Sequence, residues 1–399
     1  MTAVANMWQM DKRSLIALAG AAIALLMLAL HLGFFFRPGT MDVLGGFAQH
    51  AFVLGWMLLL TAGSRTVSLP VLGAFWLFGV WGVFGLTYLF QDQLISILGL
   101  NVDGNFVPIW LAPLMEEPLK LAPIAIFLLL AARNGYRHPS MSDGLLLGFM
   151  VGAGVAFHED AHTREVFGSG WGAATPWSAV MPSAGFYDHF ALNHALWGAF
   201  SGLTFSAALM LRHWPWAWAI TLIGPLFSFT NHLMWNHFAT TEFGTQFLLN
   251  RASGADVPWF FQTIRDVTAG GRVTMLALVL CILAVVVAES LILRWVSKRD
   301  RMFPALPRAQ AFHLLRRATS IAGFAQLIAA DSYARLRRAV YYAGWRAQIE
   351  GVPPMVTPSD YDELTALRAR ALRPPATGPV EPAVGRDSPL PEAAGPAAP

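Results

Sequence analysis

Apolar residues along this chain gather in blocks, separated by short stretches that hold most of the Pro, Gly and charged residues. A helix rises 1.5 Å per residue, so about 20 apolar residues cross a hydrocarbon layer of roughly 30 Å. The blocks predict eight spans, near 14–36, 43–62, 67–90, 107–131, 143–162, 189–211, 214–237 and 273–295. The first follows Lys12 and Arg13 but is longer than the roughly 7–15 apolar residues of a signal peptide, so it is expected to remain in the mature protein. Beyond the last span, residues 305–350 alternate Arg with Leu, Ala and Tyr at helical spacing, which predicts amphipathic helices at the cytoplasmic surface. From Arg373 to Pro399 the chain is mostly Pro, Ala and Gly, a composition too poor in large apolar groups to offset chain entropy, and this tail is expected to be disordered. The predicted fold is an all-α polytopic membrane bundle of about eight spans with a short cytoplasmic helical tail. Its expected parts are spans one to three (1–106), a catalytic transmembrane core (107–240), an extracytoplasmic loop with the last span (241–296), the amphipathic region (297–372) and the tail (373–399).

Composition sharpens this picture. Of 399 residues, 55% are hydrophobic and 13% charged, against roughly 25% charged in soluble domains, which excludes an ordinary soluble enzyme. The single cysteine, Cys281, permits neither an intrachain disulfide nor a cysteine zinc site, so any metal must use His, Asp and Glu. The net charge of +3 conceals a basic region after residue 293 and a slightly acidic membrane part. The basic residues follow a span and lack interleaved base-stacking aromatics, which points to lipid headgroups and away from nucleic acid. Lys and Arg of short loops favour the cytoplasm. Lys12, Arg13, Arg65, Arg133, Arg137 and Arg212, together with Arg294, Lys298, Arg299 and Arg301, therefore predict cytoplasmic termini, and the membrane expected is the plasma (inner) membrane.

Ionisable side chains inside spans are costly and point to function. The fourth span carries Glu116, Glu117, Pro118 and Lys120; Lys120 can pair along one face with either acid, which leaves one carboxylate over. The fifth ends in His158, Glu159, Asp160 and His162, the sixth brings Asn193 and His194, and the seventh brings His232 and Asn236 on one face. Threading the spans in alternating directions puts Glu116 about 14 Å below the outer surface, and Glu159, His194 and His232 about 5–8 Å below it. Four helices thus deliver polar residues to one layer near the extracytoplasmic side. Such a set can hold a divalent ion through oxygen and imidazole nitrogen, with zinc favoured, while a remaining carboxylate serves as general base.

At these residues the sequence resembles the PrsW family of intramembrane proteases, which is itself similar to the CAAX-processing membrane endopeptidases. The Glu-Glu-x-x-Lys motif matches Glu116, Glu117 and Lys120. The Phe-x-x-x-Glu motif falls on Val155 to Glu159, with Val155 in place of phenylalanine, and the helix histidines fall on His194 and His232. The last of these also resembles a His-x-x-x-Asn element through Asn236. The resemblance spans about 107–240 and implies hydrolysis of peptide bonds in or near the membrane segments of other proteins. On this reading Glu159, His194 and His232 are metal ligands, Glu116 or Glu117 is the base, Lys120 is the charge partner, and Asn236 is an oxyanion or substrate donor. A local alternative is the zincin pattern H-E-x-x-H in His158, Glu159 and His162. Outside proteolysis, the rivals are a proton- or cation-coupled transporter, which would spread its polar residues over several depths, and a membrane scaffold acting through the basic tail.

Overall fold

The computed structural model describes residues 40–100, 107–133, 140–167, 194–212, 214–238, 259–269, 271–299, 303–307, 314, 316, 320–351, 356 and 358–372. The expected first span and the 373–399 tail lie outside them. Every regular element among the described residues is helical. The helices are α1 (Thr40–Leu60), α2 (Leu69–Leu98), α3 (Ala112–Arg133), α4 (Met141–Phe167), α5 (His194–Met210), α6 (Ala217–Phe238), α7 (Trp259–Val267), α8 (Arg272–Arg299), α9 (Ile321–Glu350) and α10 (Pro358–Leu372).

Among the described residues, three helices are long and apolar enough to cross a membrane: α2, the Met141–Glu159 part of α4, and the Arg272–Ser297 part of α8. Helices also stand where the other expected spans from the second to the seventh were placed, but α3 spends Glu116, Glu117 and Lys120 inside its length and α5 has only 17 residues. α2 begins after Ser68 with Pro70 in its first turn, a position whose missing N–H costs nothing. It passes through a π-helical segment at Phe78–Val83 and stops at Gly99, whose φ of 61° is the left-handed C-cap conformation that glycine adopts without strain. Inside α3, Pro118 and Pro123 each remove a ladder hydrogen bond, and Pro118 does so beside the two acids.

α4 is the centre of the bundle: 89% of its apolar stretch is buried, against 22% for α2 and 28% for α8. Its glycines set the packing. A Cβ on Gly144, Gly148 or Gly152 would strike the backbone of Gly202, Gly198 or His194 on α5, so these two helices meet backbone to backbone. On another side Gly154 faces Trp76 and Gly79 of α2 just as closely. α5 and α6 are clasped by Ser228, whose hydroxyl donates to the Trp197 carbonyl at 2.9 Å and lies 2.9 Å from the Ser201 hydroxyl. Two acids hold the N-terminus of α4, one from α8 and one from its own first turn. Glu289 of α8 accepts from the Met141 and Ser142 amides at 2.7 and 2.9 Å, and Asp143 accepts from the Thr66 and Val67 amides. Both carboxylates sit where the positive end of the helix dipole favours negative charge.

The chain splits into two compact units, Met1–Pro304 with Arg335–Asp360, and Ala305–Ala334 with Tyr361–Pro399. In the second, Leu314, Ala329, Ala330 and Ala371 form a small apolar cluster. In the first, the C-terminal half of α9 is packed against protein where a lipid-facing surface helix was expected. Tyr341 and Tyr342 are buried with Leu293, and the Tyr342 hydroxyl donates to Glu289 at 3.2 Å. Arg338 donates to the Arg65 carbonyl and Arg346 to that of Met210. Burial, then the negative charge of Glu289, raises the Tyr342 pKa well above its ordinary value, so its hydroxyl stays a donor.

Candidate active site

α3, α4, α5 and α6 bring six of the expected side chains to one place. Lys120 donates from Nζ to Glu117 Oε1 at 2.5 Å, within one turn of α3, and also approaches His194 Nδ1 on α5 at 2.7 Å. His232 on α6 places Nδ1 2.8 Å from the same Glu117 oxygen. His194 turns its other nitrogen, Nε2, to Glu159 Oε2 on α4 at 2.8 Å. Glu116 Oε2 stands 4.0 Å from His232 Nε2.

With Lys120 as an ammonium, these contacts assign the hydrogens. An ammonium can only donate, so His194 Nδ1 is an acceptor, and the ring's single hydrogen lies on Nε2, directed at the Glu159 carboxylate. Glu117, paired with Lys120, is a carboxylate and accepts the Nδ1 hydrogen of His232, which leaves the Nε2 lone pair of His232 facing Glu116. Trp197, one turn along α5 from His194, stacks on His232 with centroids 5.0 Å apart and lies under the Lys120 ammonium. The two imidazoles meet edge to face at 4.6 Å.

Burial divides the acids. Glu116 and Glu117 are 5% exposed, whereas the Glu159 side chain is 40% exposed and forms the edge of the site. Glu116 Oε2 is buried without a hydrogen-bond partner. Such an atom normally costs a few kcal/mol unless something else satisfies it. Glu116, His194 and His232 offer ligand atoms that all lie within 4.8 Å of one another. Zinc sits about 2.0–2.2 Å from nitrogen or oxygen ligands. The three residues would hold such an ion after a small inward shift, since Glu116 Oε2 and His232 Nε2 stand 4.0 Å apart, and the donor set fits a hard or borderline divalent metal.

The remaining candidates are placed elsewhere. His158 stacks on Phe84 of α2, with centroids 4.1 Å apart and rings within 16° of parallel, and meets Trp81 edge-on. It faces α2, one helical step of about 100° away from Glu159. The His162 and Asp160 side chains, like Asn193, lie outside the described residues. Asn236 is half-buried, one turn beyond His232 on α6. Trp197 and Glu289 had no place in the sequence reading. A lone acid in a strongly apolar span was a usable signal for Glu289, whereas nothing but its spacing of three from His194 marked Trp197. Because His158 packs against aromatics, His158→Phe should retain both bound metal and cleavage, as metal analysis and a cleavage assay would show. Loss of metal on that substitution would restore the zincin pattern.

Buried carboxylates and imidazoles thus gather in the middle of an apolar helical bundle. Residues 68–261 match the family model described as PrsW family intramembrane metalloprotease, and the chain carries that family's domain. That domain marks a membrane peptidase, and the family it matches implies membrane-protein substrates and a divalent metal. No curated protein and no solved structure matches the chain significantly.

Proposed function

We propose that the chain is an eight-span intramembrane protease with both termini in the cytoplasm, cutting near the extracytoplasmic side of the plasma membrane with zinc held by Glu116, His194 and His232. The catalytic core is 107–240. The observation that carries this reading is the buried trio whose ligand atoms lie within 4.8 Å, one of them an unsatisfied carboxylate oxygen. When bound, the ion supplies Lewis acidity for the attacking water and the scissile carbonyl.

The protein residues have separate tasks. Glu159, the acid open to water, takes the proton of the attacking water and later returns it to the leaving amine. Glu117 accepts from His232 Nδ1 and so aims Nε2, the carboxylate–histidine arrangement that orients metal ligands. Lys120 neutralises Glu117. Asn236 supplies an amide donor for the oxyanion of the tetrahedral intermediate. Against the roles expected from the sequence, this exchanges Glu159 and Glu116 as ligand and base, because a base must meet water and a ligand need not.

The test is metal content and cleavage of a membrane-spanning reporter by detergent-purified protein. Wild type should carry about one divalent ion per chain, and His232→Ala should lower occupancy by at least about tenfold, the usual scale for a damaged ligand set. Full cleavage by protein stripped of metal in strong chelator would refute the metal reading and leave acid-base chemistry by the glutamates.

A further inference from the structure

Lys120 is 2% exposed and makes two bonds that the charge-partner role does not both require. The bond to Glu117 neutralises an acid, whereas the bond to His194 Nδ1, at 2.7 Å, joins a cation to a basic nitrogen. A neutral imidazole has one lone pair and one N–H. Here the lone pair is taken by the Lys120 ammonium, and the N–H is directed to Glu159. A metal ion also needs a lone pair. If the ion binds Nε2, the ring hydrogen must move to Nδ1, where an ammonium cannot accept it. If it binds Nδ1, it takes the place that Nζ occupies.

We infer that Lys120 and the metal compete for the imidazole lone pair of His194, so that Lys120 sets how tightly the site holds its ion. This rests on the metal reading above. Metal binding at either nitrogen breaks the Lys120–His194 bond, and at Nε2 it also moves the ring hydrogen to Nδ1, with no change in the number of protons held there. Glu117 remains available to Lys120 throughout, so the ammonium keeps a buried anion in both states. Without metal, Lys120 is the cation that a cluster of glutamates needs to stay folded. With metal, the ion assumes part of that task.

The experiment is a zinc titration against a chromophoric chelator, using full-length, detergent-purified wild type and Lys120→Met. The variant should bind zinc about tenfold or more tightly, the scale of one charge-assisted hydrogen bond, and its metal-free form should melt at a lower temperature than wild type. Equal or weaker zinc affinity in Lys120→Met overturns the competition while leaving the metal site standing. Absence of zinc binding in both proteins overturns the site and the competition with it. A second measurement needs no variant at position 120. Nitrogen-15 NMR of histidine-labelled wild type, with His194 assigned by its loss in His194→Gln, should show the hydrogen on Nε2 without metal and a changed ring on adding zinc. A hydrogen on Nδ1 in the metal-free protein would overturn the inference whatever the titration gives.

Discussion

Glu159→Gln should lower cleavage by about 10²–10⁴-fold, the usual contribution of a general base, and leave the bound metal in place. The amide keeps the size of the carboxylate and can still accept the Nε2 hydrogen of His194 at the 2.8 Å contact, but it cannot take a proton from water. At 40% exposure the substitution strands no buried charge, so the fold should survive it. Glu116→Gln should behave differently. Its oxygen is buried against His232 Nε2, and replacing it removes the charged member of the trio, so metal and cleavage should fall together. The pair of variants, each measured for metal per chain and for single-turnover cleavage, separates base from ligand. If instead Glu159→Gln loses its metal and Glu116→Gln keeps it, the division of roles expected from the motif alone is the right one.

What could be read in the sequence follows from what a helical period contains. Apolar blocks locate helices, and from the second block onward a helix stands near every predicted position. Counting 1.5 Å per residue grouped Glu116, Glu159, His194 and His232, and the structure brings the four together through the contacts of His194 and His232. Rotation about each helix axis was less accessible. His158 and Glu159 are neighbours in sequence, yet Phe84 and Trp81 hold one while His194 holds the other, a choice made by the α2 surface. The π segment at Phe78–Val83 shifts that surface, and no periodicity in the sequence announces it. The docking of α9 was hidden for a related reason. An Arg- and Tyr-rich amphipathic face reads equally well as lipid-facing or protein-facing until Glu289 and the Met210 carbonyl are seen to receive its donors.

The glycines of α4 give the largest expected effect on folding. Gly148→Val should abolish the native bundle in detergent, or lower its melting temperature by well over the roughly 2–4 °C that each kcal/mol costs a domain of 150–250 residues. Ordinary overpacking costs about 1–3 kcal/mol because side chains can turn aside. Here the added atoms would meet the carbonyl of Gly198, which belongs to the α5 backbone and cannot turn without breaking its own helix. The only relief is for α4 and α5 to part. Parting them pulls Glu159 away from His194, so any protein that remains folded should also lose cleavage. Gly152→Val is the harsher form, since its obstacle is the backbone of His194 itself. The control lies in the same protein: an added Cβ at Gly55 on α1 or Gly85 on α2 meets nothing within 4 Å. Alanine there should leave the melting temperature unchanged or raise it, because glycine inside a helix is about 0.5–1 kcal/mol worse than alanine. Equal tolerance at Gly148 and Gly85, by melting and by cleavage, would mean that the α4–α5 contact is not the one that assembles the site.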